Sequence, residues 1–76
     1  MTTLEELNAI FCNVFDDEDI VISRETTAND IDGWDSLSHM NLVVSIEKHY
    51  KVKFSTAEIM SWKNVGQMFE AVNSKL

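Results

Sequence analysis

The stretch GWDSLSHMNLVVSIEKHY, residues 33–50, decides the fold of this 76-residue chain. It contains no proline, and from Leu37 onward its apolar residues recur at helical spacing. Asp35 precedes the run and belongs to the residue types that cap a helix by accepting backbone N–H hydrogen bonds. The stretch therefore predicts an amphipathic helix from Ser36 to Tyr50, the second of the chain.

The apolar arc of this helix is wider than one core contact requires. Successive residues turn by about 100°, which places four apolar residues in one sector: Leu42, Val43, Ile46 and Tyr50. Three others fall in a second sector: Leu37, Met40 and Val44. Two interpretations stay open, because a short helix can touch neighbours on two sides, or the second sector can be an exposed patch for a partner.

Upstream of this helix, the sequence predicts a first helix and a long loop. Leu4, Leu7 and later apolar residues form a stripe over about Thr3 to Phe15, and Thr3 begins a capping box. Residues 16–35 are dense in Asp, Ser, Thr and Asn and have no sustained period. We interpret them as a long connection whose apolar segment Ile20–Ile22 packs under the helices, with a short strand at Val21–Ser23 as the alternative. Loops of this length are uncommon in compact domains and often functional.

Two more helices are expected downstream. Ser55 and Glu58 form a capping box for a short helix over about Thr56 to Met60. Asn64 caps a last helix whose apolar residues repeat at helical spacing from residue 65 to residue 76. The predicted fold is all-α: one domain over residues 1–76, a small four-helix bundle with a long first loop and a short third helix.

Composition excludes several classes of function. The net charge of −7 repels nucleic acid and anionic lipid, so we expect neither nucleic-acid nor membrane partners, and basic protein surfaces are favoured. The acids are concentrated in residues 1–35, with a net charge of −9, whereas residues 36–76 carry +2. The lone Cys12 and the absence of a secretory pattern after Met1 favour the cytoplasm, and we expect a monomer.

The candidate residues for a metal site or a catalytic site do not match the spacings that such sites require. The carboxylates of residues 30–35 resemble a calcium loop, but Gly33 is fourth rather than sixth and the twelfth residue is Asn41 rather than glutamate. Cys12 shows no spacing that joins it to His39 or His49, which are interpreted as surface or packing residues. We therefore predict no metal site and no enzyme activity.

Ser36 is the residue with the clearest chemical potential. It lacks the G-x-S-x-G turn of a hydrolase nucleophile. As the first residue of a helix, however, its hydroxyl lies beside free backbone N–H groups and the positive end of the helix dipole, a position that suits a phosphate ester.

The motif Asp35-Ser36-Leu37, after an acidic loop and before an amphipathic helix in a short acidic chain, resembles the acyl carrier proteins. The resemblance covers essentially the whole chain. It implies that Ser36 receives 4'-phosphopantetheine from coenzyme A through a phosphopantetheinyl transferase, and that Asp35 and Leu37 help the transferase to recognise the site. An acyl group is then carried as a thioester between a loading ligase or acyltransferase and downstream biosynthetic enzymes.

The resemblance also implies a docking surface on the second helix. Carried over residue by residue, this docking face consists of Leu37, Met40, Asn41, Val44, Glu47 and Lys48. It includes the second apolar sector of the helix. Fatty-acid carriers have an acid-rich second helix, whereas this one holds Glu47 as its only acid, so a specialised pathway is favoured over bulk fatty-acid synthesis.

Two tryptophans are further departures from the fatty-acid carriers. Trp34 and Trp62 can be plain packing residues, since each can bury about 150–250 Å². Alternatively, Trp62 with Ile59 and Met60 narrows the cleft that holds the acyl chain, which favours a short or polar cargo.

Two alternative functions stay open. An aminoacyl or D-alanyl carrier would share the same serine and fold. From another class, an unmodified acidic helical adaptor would bind a basic protein without needing the Ser36 hydroxyl.

Overall fold

Four α-helices make up the structure, a computed structural model that describes residues 2–76. They are α1 (Leu4–Phe15), α2 (Ser36–Tyr50), α3 (Thr56–Ser61) and α4 (Val65–Ser74). A 3-10 turn at Ala28–Asp30, which the sequence did not predict, lies in the α1–α2 connection. Within residues 2–76 there is no strand, so the all-α prediction is confirmed. None of the helices in this part of the chain is long and apolar enough to cross a bilayer.

The helices begin at the caps that the sequence indicates. In each, a side-chain oxygen of the cap accepts the N–H of the third helical residue, and the four caps are Thr3, Asp35, Ser55 and Asn64. The capping box at Ser55 is complete, because Glu58 accepts the Ser55 N–H at 3.3 Å. At Thr3 it is half formed, since Glu6 instead accepts the Thr2 hydroxyl at 2.6 Å.

The cap of α2 also sets the ionisation of its carboxyl group. The Ser38 N–H donates to Asp35 Oδ1 at 2.9 Å, and this bond is the main reason why the pKa of Asp35 lies below its ordinary value of 3.8. The hydroxyl of the same Ser38 donates to the carbonyl of Gly33 at 2.6 Å. Gly33 has a φ of +84°, which only glycine adopts at little cost. The turn into α2 is therefore fixed on both sides of Ser36.

One hydrophobic core joins the four helices. Its best-buried members are eight side chains that are at most 1% exposed: Leu7, Phe11, Leu42, Val43, Ile46, Val65, Met68 and Val72. Each contributes about 1.5–3 kcal/mol by leaving water. Trp34, just before α2, packs edge-on against the ring of Phe11, with 5.3 Å between ring centroids. The core thereby reaches the N-terminal end of α2.

Asn8 of α1 holds the first part of the long connection. Its side-chain amide donates to the carbonyl of Ile20 at 3.0 Å, and its oxygen accepts the Ile22 N–H at 2.6 Å. Ile22 is buried as a result, whereas Val21, which lies between Ile20 and Ile22, is 87% exposed. The expected burial of this apolar segment is thus met by Ile22 and not by Val21.

The middle of the connection is bound to the start of α4. The Val65 N–H donates to the carbonyl of Thr26, and the Gly66 N–H donates to the carbonyl of Arg24, both at 2.8 Å. These donors belong to the first turn of a helix, where N–H groups have no partner inside the helix. We call this pair of bonds the loop clamp.

Replacing Gly66 by alanine tests the loop clamp. A Cβ atom there would lie 2.8 Å from the Arg24 carbonyl oxygen and 3.2 Å from Arg24 Cβ, so the loop must move away from α4. We expect Gly66→Ala to lower the free energy of unfolding by about 1–3 kcal/mol in urea denaturation. If the position were exposed and free of the loop, alanine would instead stabilise the helix by about 1 kcal/mol relative to glycine. The control is Lys48→Ala at an exposed position, which should change the free energy of unfolding by less than about 0.5 kcal/mol. A Gly66→Ala variant that is as stable as the wild type would contradict the loop clamp.

The Asp35 cap predicts a dependence of stability on pH. Because the pKa of Asp35 is lowered in the folded state, its contribution is present above pH 3.8 and is lost as the pH falls through the folded-state value. We expect the difference in unfolding free energy between wild type and Asp35→Ala to shrink below pH 3.8. Asp35→Asn keeps a capping side chain without the charge, so its difference from Asp35→Ala should not change with pH. A difference between wild type and Asp35→Ala that is equal at neutral and acid pH would disprove the assignment.

Candidate functional site

Ser36 is the first residue of α2, and its side chain is exposed to solvent. Within residues 2–76, its hydroxyl makes no hydrogen bond, in contrast to that of Ser38, which donates to Gly33. Helix N-termini leave backbone N–H groups without partners and carry a partial positive charge. A hydroxyl at this position is accessible to another protein and well placed to carry a phosphate group.

A groove of about 430 Å³ opens next to Ser36, between the loop, α2, α3 and the first half of α4. Its lining is mostly apolar and includes Trp34, Ser36, His39, Met40, Met60 and Trp62. Lys63 and Asp35 lie in the lining as well and supply charge. The groove is large enough to receive part of a flexible arm or a small acyl group.

The aromatic rings of the groove are ordered by specific contacts. The Trp34 indole Nε1–H donates to Nδ1 of His39 at 3.1 Å, and the two rings are inclined by only 21°. The Trp62 ring meets His39 edge-on, with 6.3 Å between centroids, and packs edge-on against Phe54 at 5.0 Å. His39 therefore stands between the two tryptophans.

The groove contains two of the three residues expected in an acyl cleft. Met60 is 77% exposed and Trp62 is half-buried, and both line the groove. Ile59 is 8% exposed and packs in the core, and it is not among the lining residues. The sequence pattern predicts a surface or packing role for His39, although its spacing of three residues from Ser36 places both on one helical face.

The docking face expected on α2 is exposed over most of its length. Leu37, Met40 and Val44 are 72%, 49% and 42% exposed, and Asn41 and Lys48 are exposed too. The second apolar sector of α2 is thus not part of the core.

Glu47 differs from its neighbours on this face. It is half-buried, and its carboxylate accepts the Phe54 N–H at 2.9 Å. This bond ties the connection between α2 and α3 to the body of α2.

Comparison with known proteins identifies the class of this site. The family model described as "Phosphopantetheine attachment site" matches residues 5–72. The solution NMR structure of a holo acyl carrier protein from Geobacter metallireducens shares 59% sequence identity, covers 99% of this chain and 86% of its own, and superposes with a TM-score of 0.92. No curated protein sequence matches the chain.

These matches favour the carrier interpretation over the unmodified adaptor. A family model that spans most of the chain and a homologue with its prosthetic group agree with the exposed serine at the start of α2. The chain therefore belongs to the acyl carrier protein family, as a non-catalytic carrier that binds 4'-phosphopantetheine covalently.

Proposed function

We propose that Ser36 is the attachment residue and that the domain formed by residues 1–76 presents short or polar acyl groups to the enzymes of a specialised biosynthetic pathway. The observation that carries the proposal is the exposed Ser36 hydroxyl at the start of α2, beside the groove. A reducing cytoplasm and a monomeric state remain predictions from the sequence.

The residues around Ser36 fit the prosthetic group. In the attachment reaction, Ser36 Oγ forms a new bond to the phosphorus of coenzyme A that bears the pantetheine, the pyrophosphate linkage breaks with release of adenosine 3',5'-bisphosphate, and the hydroxyl proton passes to a base of the transferase. The positive end of the α2 dipole and the charge of Lys63, which lines the groove, would favour the resulting phosphodiester. When bound, the group supplies a thiol on which an acyl group is held as a thioester.

A tethered acyl group gains a high effective concentration at each enzyme that the carrier meets. The groove shields such a group when its walls bury apolar surface, and Met60 and Trp62 provide those walls. Leu42, Val43 and Ile46 are at most 1% exposed and do not line the groove, so the groove does not open onto these core residues. These features favour a short cargo; an aminoacyl or D-alanyl cargo would use the same serine.

The docking face of α2 meets the partner enzymes. A carrier interacts with a phosphopantetheinyl transferase and with biosynthetic enzymes, and we propose that these bind Leu37, Met40, Asn41, Val44 and Lys48. The exposed apolar side chains give a partner surface to bury, and Leu37 adjoins Ser36 directly. Glu47 contributes to this face mainly by holding the connection to α3 in place.

Incubation with coenzyme A and a promiscuous phosphopantetheinyl transferase tests the attachment residue. We expect the wild-type chain to gain the mass of one phosphopantetheine, and Ser36→Ala to gain none because it lacks the acceptor oxygen. Ser38→Ala is the matched control, since this neighbouring serine is half-buried and its hydroxyl is bound to Gly33. Intact mass spectrometry reads out all three. A Ser36→Ala chain that still gains mass would place the site elsewhere.

Exchange of an exposed apolar side chain tests the docking face. We expect Val44→Ser to raise the KM for the transferase about threefold to tenfold with little change in kcat, because lost apolar burial weakens binding of the whole carrier. Val21→Ser is the control, because Val21 is even more exposed but belongs to the α1–α2 connection and not to the docking face. Equal KM values for the two variants would argue against docking on α2. Circular dichroism should show both variants folded like the wild type.

A further inference from the structure

We propose that His39 selects the cargo: its Nε2–H donates a hydrogen bond to an oxygen that the acyl group carries near the thioester. The groove would then favour 3-hydroxyacyl and 3-oxoacyl groups over unsubstituted acyl groups. This inference rests on the proposed function of the groove beside Ser36.

The donor follows from the contact between Trp34 and His39. An indole Nε1–H can only donate, so the His39 Nδ1 that lies 3.1 Å from it is an acceptor and carries no proton. A neutral imidazole without a proton on Nδ1 carries it on Nε2. Trp34 is therefore a positioning residue that fixes both the tautomer and the orientation of the His39 ring.

The Nε2–H of His39 is available to a ligand. Among residues 2–76, Nε2 makes no hydrogen bond, whereas Nδ1 accepts the one from Trp34. Since no buried polar side-chain atom lacks a partner, this nitrogen reaches solvent, and His39 is one of the residues that line the groove. A ligand oxygen that comes within reach of Nε2 can accept this N–H.

The surroundings of His39 favour the acyl group over the arm as the source of that oxygen. Trp34, Met40, Met60 and Trp62 offer apolar surface, which stabilises an acyl chain more than the amide groups of pantetheine. His39 lies between the two tryptophans, so an acyl group packed on them passes its Nε2. The other ionisable groups of the lining are accounted for, since Asp35 binds Ser38 and Lys63 is a cation that suits the phosphate.

The cargo preference is measured on loaded carriers with cargoes of equal chain length. The transferase loads Ser36 from butyryl-coenzyme A or from 3-hydroxybutyryl-coenzyme A, and cleavage of each thioester by hydroxylamine is followed by intact mass. Protection is defined as the cleavage rate of the same acyl-pantetheine free in solution divided by the rate on the carrier. This ratio removes the difference in intrinsic reactivity between the two thioesters. We expect protection of the 3-hydroxybutyryl thioester to exceed that of the butyryl thioester by about threefold to tenfold, the effect of one hydrogen bond.

Variants then assign the preference to His39. His39→Phe keeps a ring but removes the donor, so the ratio of the two protection factors, 3-hydroxybutyryl over butyryl, should fall to about one. His39→Gln retains a donor and should restore part of the preference. Trp34→Phe should weaken the preference, because the imidazole then loses the bond that fixes its tautomer. His49→Phe, an exposed histidine at the other end of α2, is the matched control and should behave like the wild type.

A second readout does not depend on thioester chemistry. In nitrogen-15 NMR spectra, loading with 3-hydroxybutyryl should shift the His39 Nε2 resonance more than loading with butyryl. Equal protection and equal shifts for the two cargoes would overturn the inference, and so would a His39→Phe variant that lowers protection of both cargoes alike.

The two proposals fail in distinguishable ways. A chain that gains no mass at Ser36 would remove the attachment residue, and the inference about His39 with it. A chain that is loaded normally but protects neither thioester would leave the carrier function intact and overturn only the cargo selection by His39.

Discussion

The structure depends on the hydrogen bonds that hold the long α1–α2 connection against its neighbours. Ordering the backbone of residues 16–35 costs about 1–2 kcal/mol for each residue, and few of these residues are buried. The loop clamp offsets part of this cost, because the carbonyls of Arg24 and Thr26 meet N–H groups that α4 would otherwise leave to water. Asn8 does the same for Ile20 and Ile22. With the connection held, Trp34 reaches the core and α2 starts in a defined place.

The features that the sequence predicted are those decided by short-range interactions. A cap and the N–H that it binds are three residues apart, so Asp35, Ser55 and Asn64 could be recognised without a structure. The loop clamp could not, because it joins carbonyls of the connection to N–H groups near the end of the chain, and backbone donors are the same for every residue type except proline. The 3-10 turn at Ala28–Asp30 could not be predicted from hydrophobic periodicity, because three residues are too few to show a period.

The groove was predictable only in part. Met60 on α3 and Trp62 after it could be assigned to a cleft through the resemblance to the carrier family. The choice between Ile59 and Met60 depends on how α3 is rotated, which six residues do not determine. His39 taken alone is a polar residue on a helix. Its partner Trp34 lies before the cap, where a helical wheel gives no direction, so the pair emerges only once the turn at Gly33 is seen.

The exposed apolar side chains and the buried core have a common consequence. A domain of this size buries only about 60% of its unfolded surface, and removing a large side chain such as Leu42 from its core costs about 2–5 kcal/mol. A cargo that had to enter between the core residues would therefore compete directly with the stability of the carrier. A groove on the surface avoids that competition, because Met60 is already exposed and needs no rearrangement to contact a ligand. Shielding at the surface is weaker than in an interior cavity, which is why a directional contact such as that of His39 matters more for a short acyl group than for a long one.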